Sequence, residues 1–341
     1  MSILISCYII PILLSLFFIK KQEKNNIISK DATLSVRGIG MLLIVFAHAI
    51  EGTVNTYTFF IYVSAILGVS ACFLVSGYGL YLSFEKKENY LKGFLFQKFF
   101  RLLIPYLIFF VISIIYKLIT KQVVDISIIV YELLTLQLDG LLLWYLKIQL
   151  LFYIFFYISF KFIKNKNISI VLLIVFTVIY YILAWQFNLK SYWYNTCLFF
   201  PIGILLARFK EYILPLIRKW YIIVLSGLVF LSTFIIIYLF GRMNLDFIID
   251  GIYMISFNTF IIGLYMNISN SHFLKIFGKY SMEIYLSHLL LLNWDLFGIF
   301  DSNNGYTYLL LLIATLLLSV PVFIISNKIS LLISRRNQYA K

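Results

Sequence analysis

The chain has 341 residues, of which 62% are hydrophobic, 19% are aromatic and only 12% are charged, and its mean hydropathy is +0.97. A soluble globular domain of this composition would lack polar surface, so the sequence excludes a water-soluble enzyme and predicts a protein whose solvent is the bilayer. The net charge of +14 would suggest nucleic acid in a soluble protein, but in a membrane protein its placement decides its meaning.

Apolar segments predict the membrane spans. They cover residues 2–19, 38–55, 59–83, 102–120, 141–160, 168–187, 193–209, 220–240, 247–266, 280–299 and 306–326, with a weaker segment at 126–138. A helix needs about 20 apolar residues to cross the hydrocarbon core, so we interpret the weaker segment as a re-entrant or interfacial piece. The sequence therefore predicts an all-α integral membrane protein with about 11 transmembrane helices.

The basic residues predict the orientation of the chain. If the loop that follows the first segment is cytoplasmic, all but five of the 28 Lys and Arg residues lie on the cytoplasmic side. The five exceptions are Lys117, Lys121, Lys147, Lys190 and Arg242. The positive-inside rule then explains the basicity without nucleic acid, and it places the N-terminus outside the cell membrane and the C-terminus in the cytoplasm.

The first apolar segment is interpreted as a retained anchor. A signal peptide would have a basic region before it and a small-residue cleavage site after it, and this segment has neither. Residues 1–30 are therefore predicted to form an N-terminal anchor helix and a basic cytoplasmic loop. Residues 31–341 would form the main membrane domain.

Titratable residues inside the membrane are costly and are therefore the first candidates for function. Arg37 and His48 are 11 residues apart, which on a helix is about 16 Å of rise and about 20° from three full turns. Glu51 can reach the same helix face and hold the imidazole in one tautomer. A guanidinium at the membrane edge can hold phosphates while a mid-depth histidine removes a proton from a hydroxyl. The same spacing also fits a purely structural role, in which Arg37 extends its charge to the membrane surface and His48 packs between helices.

His288 is predicted to lie at a depth similar to that of His48. If its span starts near position 280, it is about 12 Å from the inner surface, and the two histidines could share a cavity. Glu283 lies shallower, and its carboxylate must be neutral or paired; a pairing role is favoured over catalysis. His272 falls in the preceding loop, where we expect it to be solvated.

A basic segment precedes the span at 102–120. Its five cations, between residues 86 and 101, alternate with aromatic residues, as in a helix that lies in the membrane interface. Anionic membrane lipid is one predicted partner. Because Lys98 and Arg101 are three residues apart and share the cytoplasmic edge with Arg37, a phosphate-bearing cytoplasmic ligand is the other.

The three cysteines carry no predicted function. Cys7, Cys72 and Cys197 all fall within apolar segments, and their spacing fits neither a disulfide framework nor a metal site. We expect inert thiols and no metal.

Five segments, in order along the chain, carry a family resemblance. They are Arg37–His48, Phe73–Tyr78, Arg101 with Pro105 and Tyr106, Leu143–Leu146, and Gly278–His288. Together they resemble the acyltransferase 3 family of polytopic membrane proteins, which move acyl groups from acyl-coenzyme A to sugars and other acceptors. The departures are an extra N-terminal span and Lys98, where the family often has an arginine that could form a bidentate contact.

The resemblance implies a ten-helix acyltransferase core, from the second span to the last, and a set of catalytic residues. These would be His48, Glu51 and His288, with His48 as general base on a sugar hydroxyl or as a transient carrier of the acyl group. Glu51 would orient His48, and His288 would bind the acceptor or stabilise charge.

The resemblance also implies the substrates. Arg37, Lys98 and Arg101 would bind the phosphates of acetyl-coenzyme A, or of another acyl-coenzyme A such as succinyl-coenzyme A. No tightly bound cofactor is implied. The acceptor would be a cell-surface or capsular polysaccharide, or a lipid-linked glycan, that arrives from outside.

Two other classes of protein remain as alternatives. A transporter or flippase of a lipid-linked glycan would also have many spans, but transporters usually contain internal repeats with broken helices, and the five prolines do not recur in two halves. A degenerate member could scaffold an export complex without catalysis. The presence of both Arg37 and His48 disfavours the scaffold.

Overall fold

The computed structural model describes residues 19–20, 28–49, 59, 63–240, 246–267, 270–294 and 305–339. These residues contain 13 α-helices, and eight of the helices are long and apolar enough to cross a membrane. The protein is therefore an all-α, multi-pass membrane protein, as the composition predicts. The predicted anchor at 2–19, apart from residue 19, and the candidate Glu51 lie outside the described residues.

The helices follow one another with few long connections. In chain order they are α1 (Lys30–Ala49), α2 (Ala65–Lys86), α3 (Phe94–Ile119), α4 (Ile126–Leu134), α5 (Trp144–Phe162), α6 (Lys166–Gln186), α7 (Phe199–Arg208), α8 (Lys210–Ile217), α9 (Trp220–Phe240), α10 (Asp246–Asn267), α11 (His272–Lys279), α12 (Ser281–Trp294) and α13 (Gly305–Tyr339). A 3₁₀ turn, Ser191–Trp193, precedes α7. The strands form two antiparallel pairs: β1 (Ile19–Lys20) with β4 (Asn270–Ser271), and β2 (Gln137–Leu138) with β3 (Leu141–Leu142).

Helix α1 begins earlier than the hydropathy predicts. The sequence predicts this span from residue 38, whereas the helix starts at Lys30. The hydroxyl of Ser29 accepts a hydrogen bond from the backbone N–H of Ala32 at 3.0 Å, which satisfies one of the unpaired donors at the helix start. Arg37 therefore lies two turns inside the helix rather than at its first residue.

The weak segment at 126–138 is not a spanning helix. It forms α4, nine residues long, whose first turn is capped by the carboxylate of Asp125. The strand pair β2–β3 follows as a hairpin. Its turn residues, Asp139 and Gly140, have φ angles of +54° and +77°, as a type I′ turn requires.

Ion pairs join several helix termini at one end of the bundle. Lys275 of α11 pairs with Asp31 of α1 at 2.8 Å. Glu85 of α2 pairs with Lys210 of α8 at 3.5 Å and with Lys166 of α6 at 3.8 Å. We name this end of the bundle the Asp31 end.

A second polar cluster marks the opposite end, which we name the Asp139 end. Lys117, in the last turn of α3, pairs with Asp139 of the hairpin at 2.7 Å. Asp139 also accepts hydrogen bonds from Trp294 Nε1 at 2.7 Å and from Asn293 Nδ2 at 3.0 Å, both on α12. The hairpin is thereby fixed to the ends of α3 and α12.

Glycines allow the closest helix crossings. A Cβ atom added at Gly38 would meet the backbone carbonyl oxygen of Leu274 at 2.0 Å, so the two backbones are in direct contact. Each of three crossings has a glycine on both helices: Gly38 and Gly278 (α1 and α11), Gly40 and Gly68 (α1 and α2), and Gly77 and Gly203 (α2 and α7). Helix α1 is therefore held between α2 and α11, at the centre of the bundle.

Candidate active site

Two histidines from distant parts of the chain are in contact. Nδ1 of His48 on α1 lies 3.0 Å from Nε2 of His288 on α12, and the two rings stack with their centroids 5.3 Å apart. His288 is fully buried, whereas His48 is partly exposed. The structure thus places together the two histidines for which the sequence predicts a shared cavity.

Hydrogen bonds define the tautomer of each ring. Nδ1 of His288 lies 2.8 Å from the backbone carbonyl oxygen of Ile284, and because a carbonyl oxygen only accepts, this nitrogen carries the proton of the neutral ring. Nε2 of His288 is then an acceptor, and Nδ1 of His48 must donate to it. The remaining nitrogen of His48, Nε2, consequently holds a lone pair and can accept a proton.

His48 lines a cavity of about 630 Å³, which we name the histidine cavity. Its walls come from α1, α2, the start of α5, α12, the β2–β3 hairpin and the segment before α7. Polar and aromatic side chains in these walls include Trp144, Tyr192, Asn195, Thr196, Tyr285 and Asn293. The histidine can therefore meet a ligand that has both apolar faces and hydrogen-bonding groups.

The three predicted phosphate-binding residues line a different cavity, of about 270 Å³, which we name the cationic cavity. Arg37 comes from α1, and Lys98 and Arg101 come from α3. Lys279 of α11 lines it too and is a fourth cation, one the sequence analysis did not assign to this site. The cavity can accordingly accommodate a ligand with several negative charges.

Aromatic rings hold the lysine of this cavity. The ammonium group of Lys98 lies 5.7 Å from the ring centroids of Tyr90 and Phe94 and 5.9 Å from that of Tyr153. These are cation–π distances. Tyr153 itself lines the cationic cavity, so the rings place the lysine at the cavity wall.

Gln149 of α5 is a residue that the sequence analysis missed. Its side chain is 3% exposed and lines the cationic cavity. Neither its Nε2 nor its Oε1 atom has a hydrogen-bond partner among the described residues. An amide within a largely apolar span was the available signal, because such groups are costly in a membrane.

A pair of tyrosines lies between the two cavities. Tyr145 lines the cationic cavity and Tyr285 lines the histidine cavity, and their ring centroids are 5.3 Å apart. The cationic cavity extends along α1 as far as Met41, about 10 Å of helical rise from His48. The two cavities thus approach each other from opposite ends of the bundle.

The remaining candidates have distinct positions. Glu283 is 4% exposed and lines the cationic cavity together with Lys279. His272 is exposed, as expected, although it is the first residue of α11 rather than part of a loop. The orienting role predicted for Glu51 stays a prediction, because that residue lies outside the described part of the chain.

The fold and the site define a polytopic membrane protein in which a buried histidine contacts a second histidine at the wall of one of two separate cavities. The family model of the acyltransferase 3 domain matches residues 35–325, and the chain belongs to that family. It is therefore a membrane acyltransferase, and the predicted family is confirmed. Comparisons with curated proteins and with solved structures gave no match.

Proposed function

We propose that the protein transfers an acetyl group from acetyl-coenzyme A to a hydroxyl of a cell-surface or capsular polysaccharide, or of its lipid-linked precursor. The contact between His48 and His288 carries this proposal, because it prepares a proton acceptor at the wall of one cavity while a cationic cavity approaches from the opposite end. Family membership supplies the reaction class. The two cavities supply separate places for donor and acceptor.

Ten helices of the described chain would cross the bilayer. Besides the eight long helices, α7 would run from one end of the bundle to the other. Its last residue, Arg208, donates a hydrogen bond to Asn167 at the Asp31 end. Asn195, which precedes α7, lines the histidine cavity. Helix α12 would also cross, because it runs from Ser281 at the cationic cavity to Trp294 at the Asp139 end. The predicted anchor at 2–19 would be the eleventh span.

The Asp31 end would face the cytoplasm of a cell whose plasma membrane contains the protein. The loops at this end carry most of the lysine and arginine residues, in line with the positive-inside rule. The N-terminus would then lie outside and the C-terminus inside. A C-terminal green fluorescent protein fusion should fluoresce in bacteria, whereas a C-terminal alkaline phosphatase fusion should be inactive; the reverse result would contradict this orientation.

The donor would occupy the cationic cavity from the cytoplasm. Its phosphates would pair with Arg37, Lys98 and Arg101, which provide charge-assisted hydrogen bonds. The amide of Gln149, which has no partner among the described residues, would pair with an amide of the pantetheine arm, which has both donors and acceptors. The thioester would pass the tyrosine pair, Tyr145 and Tyr285, to reach His48.

His48 would act as the general base of a direct transfer. Its Nε2 takes the proton of the acceptor hydroxyl as the hydroxyl oxygen attacks the thioester carbonyl carbon. The carbon–sulfur bond then breaks, and the proton passes from His48 to the departing thiolate, which leaves as coenzyme A. Among the described residues that line the histidine cavity, His48 is the only base, so a route in which His48 itself carries the acyl group would leave the hydroxyl without one.

The test compares the polysaccharides made by three strains. A polysaccharide-producing bacterium that lacks its own copy would express the wild type, His48→Ala or His272→Ala at equal protein levels. His272→Ala is the matched control, because that histidine is exposed and lines neither cavity. We expect O-acetyl resonances in NMR spectra of the glycan from the wild type and the control, and none from His48→Ala.

Two results would contradict the proposal. O-acetylation that persists in His48→Ala would remove His48 from the reaction. Loss of glycan from the cell surface with unchanged acylation would instead favour a flippase of a lipid-linked glycan.

A further inference from the structure

We propose that the histidine cavity binds a neutral, hydroxyl-rich ring through two asparagines, Asn195 and Asn293, each of which presents a carbonyl oxygen to the ligand. The inference rests on the proposed function, because it specifies the acceptor at the same site. It goes further by assigning the residues that select the acceptor and the kind of sugar that they admit.

Asn293 is oriented by the hairpin. Its Nδ2 atom lies 3.0 Å from a carboxylate oxygen of Asp139 and 3.2 Å from the backbone oxygen of the same residue. Both of these atoms only accept hydrogen bonds, so the NH₂ group of Asn293 must face them. Asp139 is itself fixed by Lys117 and Trp294, each at 2.7 Å. The carbonyl oxygen of Asn293 is therefore the group left for the cavity.

Asn195, in the segment before α7, repeats this arrangement. Its Nδ2 atom lies 3.3 Å from a carboxylate oxygen of Asp250 on α10, and Asp250 is 2% exposed. The same chemical argument turns the NH₂ group of Asn195 toward the carboxylate and leaves its carbonyl oxygen for the cavity. Both asparagines line the histidine cavity, so it receives two carbonyl groups whose orientation is set by buried or half-buried aspartates.

A buried hydroxyl next to Asn195 is the independent sign of a ligand. Thr196 lines the histidine cavity and is 2% exposed, and its Oγ1 atom has no hydrogen-bond partner within the described chain. A buried hydroxyl without a partner destabilises the protein. A ligand hydroxyl would pair with it, because Thr196 can both donate and accept.

Aromatic rings provide the apolar part of the site. The ring centroids of Trp144 and Tyr192 are 5.3 Å apart, and the ring planes make an angle of 45°. Both residues line the histidine cavity. The C–H faces of a sugar ring can lie against such rings while its hydroxyl groups reach the asparagines. The cavity volume of about 630 Å³ is within the range of roughly 300–1,000 Å³ that is typical of small-ligand sites.

The two oriented carbonyl groups also give the site its selectivity. A sugar hydroxyl can donate a hydrogen bond to each of them, whereas an ionised carboxylate has no hydrogen to donate. The ionised carboxylate of a uronic acid would therefore place an acceptor against the carbonyl oxygen of an asparagine, so the site would prefer a neutral hexose ring. The substrate would be a neutral sugar unit of the glycan rather than an acidic one.

The test measures binding separately from catalysis. Saturation-transfer NMR with the full-length protein in detergent would use methyl glucoside, methyl galactoside and methyl mannoside, and methyl glucuronide as the acidic counterpart of the glucoside. The protein variants would be Asn195→Leu, Asn293→Leu and Thr196→Val. Asn267→Leu is the control, because Asn267 is an exposed asparagine at the Asp31 end of α10 that lines neither cavity.

We expect at least one neutral glycoside to bind the wild type and Asn267→Leu, and the glucuronide to bind at least about tenfold more weakly, as for a lost hydrogen-bond pairing. The three site variants should lower the affinity for that neutral glycoside by a similar factor. Thr196→Val keeps the side-chain shape and removes only a hydroxyl that pairs with none of the described residues, so it tests the site without loss of folding.

Three outcomes would overturn the inference: no binding of any neutral glycoside, equal binding of the glucuronide, or unchanged binding in all three site variants. The polysaccharide experiment distinguishes this failure from that of the proposed function. Acetylation without selective sugar binding would support the proposed function and contradict the inference. If the wild type binds sugar, the site variants do not, and no acetylation is seen, the binding site would be supported and the proposed reaction contradicted.

Discussion

Nδ1 of His48 lies 3.0 Å from Nε2 of His288, although the two residues are 240 positions apart in the sequence. The backbone carbonyl of Ile284 fixes the tautomer of His288, and His288 in turn fixes that of His48. The ability of His48 to accept a proton on the side of its cavity is therefore set by a different helix.

His288 should act on the rate through His48. In His288→Leu, Nδ1 of His48 loses its acceptor, so we expect kcat to fall by about 10²-fold, within the range of general acid–base catalysis. In His288→Gln, the side-chain carbonyl can still accept from His48, so more activity should remain. Steady-state kinetics of the purified protein with acetyl-coenzyme A would measure both values. Equal loss in the two variants would show that acceptance of this hydrogen bond is not what matters.

Lys98 and Arg101 should control donor affinity. Lys98→Met and Arg101→Met each remove a charge-assisted hydrogen bond, worth about 1.5–3 kcal/mol, so the KM for acetyl-coenzyme A should rise about 10- to 100-fold with a smaller change in kcat. Lys92→Met is the control, because that lysine is exposed between α2 and α3. An equal KM increase in the control would indicate a general effect of surface charge rather than direct contact.

Gln149 should affect stability and donor binding in opposite directions. Gln149→Leu removes a buried amide that has no partner among the described residues, which costs about 1–3 kcal/mol, so the protein without donor should unfold at a higher temperature. The same variant should raise the KM for acetyl-coenzyme A, because the donor loses a hydrogen bond. Thermal unfolding and donor kinetics would measure the two effects. A lower unfolding temperature would mean that the amide already has a partner in the free protein.

Gly38 should be essential to the position of α1. Gly38→Ala places a Cβ atom 2.0 Å from the carbonyl oxygen of Leu274, so the helices must separate, and overpacking of this kind costs about 1–3 kcal/mol. The matched control is Gly251→Ala on α10, where an added Cβ atom meets nothing within 4 Å. Heating in detergent followed by size-exclusion chromatography would measure the loss of intact protein. A control variant as unstable as Gly38→Ala would refute the role of the close crossing.

The sequence predicted the membrane fold because the bilayer imposes a simple rule on composition. Long apolar segments separated by cations indicate spans and their orientation. The helix period also placed Arg37 and His48 on one side of α1, and the structure has the first at the cationic cavity and the second at the histidine cavity. Helix α1 starts eight residues before the predicted span, because Ser29 begins the helix with a hydrogen bond that hydropathy does not register.

Other parts of the site depended on the tertiary structure. Gln149 and Thr196 are single polar residues in or beside apolar segments. Only the surrounding structure shows that their side chains have no hydrogen-bond partner among the described residues and line cavities. The orientation of Asn293 depends on Asp139, 154 residues away in the sequence. Such contacts join different helices, and helical periodicity describes only one helix at a time.

The sequence by itself determined the class of protein and the approximate spans, and it supplied the candidate residues for acid–base and phosphate-binding chemistry. Only the tertiary structure decided which helices bring those residues together, as Gly38 and Gly278 do for α1 and α11. The physical reason is that lipid chains and helix interiors are equally apolar, so hydrophobicity drives a helix into the membrane without selecting its neighbours. Close backbone contacts and buried hydrogen bonds make that selection.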